Sequence, residues 1–189
     1  PPRSTLFPYT TLFRSPAAAN PGPAFRDAHA ALAFAAAGDD ESMSRLIDGT
    51  QKLADKGSGV AREMTLPLLQ GISAFAEGSY GEAARLMEPL APQLARIGGS
   101  HAQREVFEDT LLEAYLRAEQ FDKAEDMLRE RLGRRASVRD TFWMGRVQAS
   151  NGETGPARST LKEAIDGWSG GDESSPEMTD LTALAGKLG

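Results

Sequence analysis

Apolar side chains recur at three- and four-residue spacing along most of the chain. Leu68, Leu69, Ile72, Phe75 and Ala76 form one stripe. Phe107, Leu111, Ala114, Tyr115 and Ala118 form a second, and Phe121, Ala124, Leu128 and Leu132 a third. This spacing puts side chains on one face of a helix, and no segment sustains the period-two alternation of a half-buried strand. The pattern therefore predicts helices and no sheet. Twenty-nine alanines, the residue with the highest helix propensity, point the same way.

Stop and start signals divide these stripes. Ala24–Ala37 is bounded by Gly38, Asp39 or Asp40 caps the next helix, and that one runs to about Lys56 before Gly57. A third helix is predicted from about Met64 to Glu77, ending at Gly78. Ser79 with Glu82 and Ser100 with Gln103 have the spacing of capping boxes, in which each side chain satisfies a free backbone donor. Ser137 with Asp140 resembles a third box with a shorter acid. Pro89 and Pro92 are expected to kink or split the helix starting near Tyr80, and Asn151-Gly152 marks a turn. About eight helices of roughly 12 to 18 residues result. The run from Ser169 to Ser175 has the composition of a flexible linker. Pro176 then opens a short helix carrying Met178, Leu181, Leu184 and Leu188, which either docks as a cap or stays loose.

The helix pairs resemble one another. Gly71, Gly78, Tyr80 and Ala83 are spaced like Gly145, Gly152, Thr154 and Ala157, and Leu112, Glu119, Phe121 and Ala124 take the same offsets. Met87, Leu128 and Leu161 then coincide, and Ala31, Gly38 and Met43 suggest an earlier copy. A small residue in the first helix, glycine at the turn and alanine early in the second resemble the tetratricopeptide repeat, whose helices cross where only small side chains fit. The expected fold is all-α, a tetratricopeptide-like helical-repeat solenoid of antiparallel helix pairs. A non-repetitive helical bundle is the alternative.

Composition changes this picture in four ways. Residues 1–15, PPRSTLFPYTTLFRS, resemble letter for letter a translated sequencing adapter, and are set aside from fold reasoning like a fusion scar. The expected organisation is then a helical-repeat domain over 16–168, followed by linker and short helix over 169–189. Without Arg3 and Arg14, 19 basic side chains face 27 acidic ones, a formal charge of -8. That balance argues against a nucleic-acid partner. The absence of cysteine removes disulfides, thiolate metal sites and a cysteine nucleophile, and two histidines cannot make a three-histidine metal site. No apolar run approaches the roughly 20 residues of a membrane helix, so no membrane partner is expected and a cytoplasmic location is the default.

One stretch is more specific. Ile97-Gly98-Gly99-Ser100-His101-Ala102-Gln103-Arg104-Glu105-Val106-Phe107 is similar to a signature segment of the tetratricopeptide repeat protein 38 family, commonly GGS-x-AQRDVF. The TLLEAYLR that follows and DAHAALAFAAAG from Asp27 to Gly38 fit that family as well, so the resemblance covers roughly Phe25 to Ile165. Glu105 departs from it, standing where the family usually has aspartate. The resemblance implies an all-helical tetratricopeptide-like fold and, since members of that family are longer, that 16–168 is the C-terminal fragment of a longer protein. It brings no biochemical activity with it.

The residues that carry chemistry have structural readings beside the functional ones. His101 suits ligand binding or acid–base work, but it also falls in the first turn behind the Ser100 cap, within reach of Glu105. His29, with Asp27 nearby, reads better as a packed helix residue than as half of a dyad with His101. Arg129, Arg131, Arg134, Arg135 and Arg139 suit a phosphate or acidic peptide, yet they are interleaved with Glu130 and Asp140 and read better as solvated surface. Phe142 and Trp143 read as core anchors. No nucleotide, nucleophile-elbow, zinc or calcium motif is present, and no catalytic residue, cofactor or metal is expected. The leading expectation is a protein-interaction scaffold holding a peptide or protein in a concave groove. Asp109, Glu113, Leu116 and Arg117 line it from one repeat, Arg139 and Arg146 from the next. The alternative is part of an enzyme whose catalytic groups lie elsewhere in a longer chain, with Ser100, His101, Gln103, Arg104 and Glu105 completing its pocket. Self-association through solenoid ends is a third possibility.

Overall fold

The computed structural model describes residues 20–168 and 175–188. The adapter-like residues 1–15 and the linker residues 169–174 lie outside the described residues. Every regular element described is helical, and no strand occurs among the described residues. In chain order they are α1 (Ala24–Ala37), α2 (Asp40–Asp55), a π-turn (Ala61–Thr65) running into α3 (Leu66–Ala76), α4 (Tyr80–Met87), a 3-10 helix (Glu88–Ile97), α5 (His101–Arg117), α6 (Phe121–Arg134), α7 (Val138–Ser150), α8 (Thr154–Gly167) and α9 (Pro176–Leu188). The chain forms two compact units, Pro1–Ala114 and Tyr115–Gly189, so the boundary falls inside α5.

In the first unit α1 packs on α2 and α3, and α3 pairs with α4. Phe34, Leu46, Met64, Leu68, Leu69 and Phe107 are almost wholly buried. The third helix begins earlier than its apolar stripe suggests, with helical backbone from residue 59. Ser58 Oγ accepts the Ala61 N–H at 3.3 Å and starts it upstream. Pro67, which has no N–H and crowds the carbonyl four residues back, is accommodated by the widened π-turn, where the Leu66 N–H reaches Ala61 O. After Tyr80 the prolines act as expected. Glu88 begins a change from α to 3-10 geometry, and α4 is held to 8 residues.

Five turns close in the same way. After α1, α2, α3, α5 and α7 a residue with positive φ donates to the carbonyl three back, and its successor donates to the carbonyl five back. This double closure ties off the last free carbonyls of a helix. Glycine fills the left-handed position at Gly38, Gly57, Gly78 and Gly152, and Glu119 (φ 57°) fills the fifth. One predicted cap does not survive this geometry. Ser79 is the successor residue, and its N–H is already bonded to Ala74 O at 2.8 Å. Glu82 therefore has no donor to return to, no capping box forms, and its carboxylate takes Arg85 instead, at 2.7 and 2.5 Å.

The predicted close crossings are present. A Cβ built on Gly71 would lie 2.5 Å from Met87 Cγ, and one on Gly145 would lie 2.6 Å from Leu161 Cδ2. Both glycines stand sixteen residues before their partners, and Ala83, Ala124 and Ala157 at the matching positions are fully buried. In the second unit α6, α7, α8 and α9 pack in sequence. The last helix docks: Leu181 is fully buried with Phe142, Leu161 and Ala164, and Met178, Leu184 and Leu188 pack around them. Ser175 caps it, accepting the Met178 N–H at 3.2 Å.

Candidate functional site

The family-like segment builds a helix entry. Gly98 and Gly99 both adopt positive φ, and a Cβ on Gly99 would strike the Phe25 ring at 2.2 Å, so only glycine fits there. Ser100 and Gln103 form the reciprocal box: the Ser100 N–H donates to Gln103 Oε1 (2.9 Å) and the Gln103 N–H to Ser100 Oγ (3.3 Å). Arg104 folds back, its Nη1 donating to Gly98 O at 3.3 Å and also to Gly99 O. His101 is exposed and lies 3.3 Å from Glu105 Oε1 through Nδ1.

The two histidines do not make a dyad. His29 packs its ring 4.2 Å from that of Phe25 and 5.0 Å from that of Phe107, centroid to centroid. Its Nδ1 sits 2.9 Å from Phe25 O, and since a carbonyl can only accept, Nδ1 carries the proton. The structure thus joins His29 to the family-like segment through Phe107 rather than through His101. Ser100, Gln103 and Arg104 each spend their polar atoms on local backbone.

The groove candidates fall in both units. Asp109 and Glu113 are half-buried on the part of α5 that belongs to the first unit. In the second, Leu116 is half-buried and Arg117 exposed on the last turn of α5. On α7, Arg139 is exposed and Arg146, two turns on, is half-buried with its guanidinium 4.3 Å above the Trp143 ring and 5.9 Å from that of Phe142. Phe142 is a core anchor as expected, whereas Trp143 is half-buried beneath Arg146.

The arginine cluster divides. Arg129 is exposed and pairs with Glu125 at 2.7 Å, and Arg134, Arg135 and Arg139 are exposed. Arg131 contradicts the solvated reading: its side chain is 6% exposed, that of Asp140 is 2%, and Nη2 lies 2.8 Å from Oδ1. Nε donates to Oδ2 at 3.3 Å. A sequence signal for this existed. Arg131 continues the Ala124–Leu128 stripe at helical spacing, so its Cβ points into the core. Ser137 caps α7 by accepting the Asp140 N–H at 3.1 Å, but the Asp140 carboxylate turns inward to Arg131 instead of returning to the cap. A second buried acid, Asp27, accepts the Gly22 N–H at 2.6 Å and pairs with Arg26 at 2.8 Å.

Four exposed groups are shifted by local partners, among them Arg85, raised by its hydrogen bond to Glu82. Glu63 is held below the ordinary carboxylate value by the hydrogen bond and then the charge of Arg96, which ties the π-turn to the 3-10 helix. Glu82 is lowered by the Arg85 hydrogen bond, and Lys162 is raised by Asp166. Among the described residues no group of three or more histidine, aspartate or glutamate side chains is arranged to hold a metal ion, and no helix is long and apolar enough to cross a membrane. No family model matches the chain, and no solved structure matches it.

Proposed function

We propose that this chain is a protein-interaction scaffold built from tetratricopeptide-like helix pairs, related to the tetratricopeptide repeat protein 38 family, and that it holds a peptide or protein partner. The observation that carries the reading is the recurrence of one packing device. Gly71 on Met87 and Gly145 on Leu161 are the same close crossing at the same sixteen-residue offset, each followed by the same turn closure. Neighbouring helix pairs of this kind present their first helices as a binding face. In this reading Leu116 and Arg117 on the last turn of α5 and Arg139 and Arg146 on α7 contribute within the second unit, while Asp109 and Glu113 belong to the first. The family-like segment supports it indirectly, because Ser100, Gln103 and Arg104 are occupied in shaping a helix entry.

The test uses peptides selected from a random displayed library against the whole chain, with affinity read by fluorescence anisotropy. Arg117→Glu and Arg146→Glu, both in the second unit, are expected to weaken binding by at least about tenfold for the best peptides, as loss of a charge-assisted contact would. Peptides whose affinity is unchanged by both substitutions would overturn this placement of the groove.

A further inference from the structure

The arginine-rich connection between α6 and α7 carries a feature that the scaffold reading does not use. It reads Arg134-Arg135-Ala136-Ser137-Val138, and among all serines and threonines of the chain only Ser137 has arginine at both the third and second positions before it. Arginine-directed protein kinases read such pairs with acidic pockets, since each guanidinium forks onto a carboxylate. They also accept an apolar residue just after the acceptor. The local structure suits that mode of reading. Arg134, Arg135 and Ala136 are exposed, and the backbone is extended at Arg135 (φ -158°, ψ 146°) and at Ser137 (φ -149°, ψ 115°).

We propose that Ser137 is a phosphoacceptor site for an arginine-directed serine kinase. In the transfer, Ser137 Oγ attacks the γ-phosphorus of a nucleoside triphosphate and a new P–O bond forms. The bond from the γ-phosphorus to the bridging oxygen breaks, the nucleoside diphosphate leaves with that electron pair, and the hydroxyl proton passes to the kinase's base. The half-buried Ser137 Oγ accepts the Asp140 N–H, and Ser137 O accepts the Thr141 N–H and hydroxyl, each at 2.9 Å. Reaching the hydroxyl therefore requires the first turn of α7 to open, and helix ends are where such local opening costs least. Once attached, the phosphate stands at the start of α7. There the helix dipole and first-turn N–H groups favour an anion. A single event would add nearly two negative charges to a connection that carries Arg134, Arg135 and Arg139.

The test is incubation of the folded chain with a purified arginine-directed serine kinase and magnesium ATP, followed by intact mass and peptide mapping. The expected result is one phosphate on Ser137, absent from Ser137→Ala. Its rate of addition should fall by about tenfold or more in Arg134→Ala/Arg135→Ala, with unchanged circular dichroism in both variants. The heat-unfolded chain serves as the control. Phosphate taken up there but not by the folded chain would overturn the proposal, as would phosphate found at another residue.

Discussion

The loops that open α5 and α7 start alike and end differently. Each places a serine at the cap, a polar residue three further on and an arginine close by. Before α5 all of this chemistry is spent at the surface: Gln103 reaches back to the Ser100 N–H, and Arg104 covers the carbonyls of Gly98 and Gly99. Before α7 the polar residue is an aspartate, one methylene shorter, and its carboxylate lies in the core against Arg131. A capping signal alone states which backbone donor is satisfied. It does not say where the partner's charge goes, which depends on the element packed behind the cap.

The sharpest way to break the comparison is to remove one buried charge. Asp140→Ala leaves the Arg131 guanidinium buried without its acid and is expected to cost about 3–5 kcal/mol in urea unfolding. Arg131→Met with Asp140→Leu should come out close to wild type or more stable, because desolvation of the pair is removed together with its attraction. A loss below about 1 kcal/mol in the single variant would place the pair at the surface.

Next in size is the contrast between the two glycine crossings. Gly145→Ala is expected to cost about 1–3 kcal/mol by overpacking, since the branched Leu161 offers both Cδ2 and Cγ within 2.7 Å of the new methyl. Gly71→Ala should cost less, because Met87 is unbranched and one turn about its Cα–Cβ bond carries both Cγ (2.5 Å from the new methyl) and Sδ (3.3 Å) aside. Thermal unfolding of both, with Leu161→Ala to relieve the first, checks the order.

At the caps, Ser100→Ala should lose about 1 kcal/mol, and Ser79→Ala close to nothing, because only the first serine side chain accepts a helix N–H. Chemical denaturation of the two side by side separates them.

The smallest effect concerns pH. The folded-state value of Glu63 is depressed below its ordinary 4.5 by Arg96. Its contribution is therefore fully present above that pH and lost as the pH falls through the lowered value. Wild type and Glu63→Gln should differ at neutral pH and converge in acid, as read by melting temperature across a pH series.

Much of this molecule was legible in its sequence. Helical class, the boundaries at Gly38, Gly57, Gly78 and Gly152, the break at Pro89, and the Ser100–Gln103 box all depend on residues within a turn or two of one another. The sixteen-residue offset from small residue to apolar partner was also visible, being one helix and one turn long. The candidate site was less legible. Its residues were assigned from helical register, and the fates of individual side chains differed: Arg131 went into the core while Arg129 and Arg134 stayed at the surface.

Local order along the chain determined which backbone groups needed partners, since helix propensity, capping and glycine's left-handed freedom act over a few residues. Only the tertiary structure decided that His29 packs between Phe25 and Phe107, that α9 docks through Leu181, and that Asp140 meets Arg131. Each of those outcomes depends on which surface is removed from water, a property of packed elements rather than of residue order.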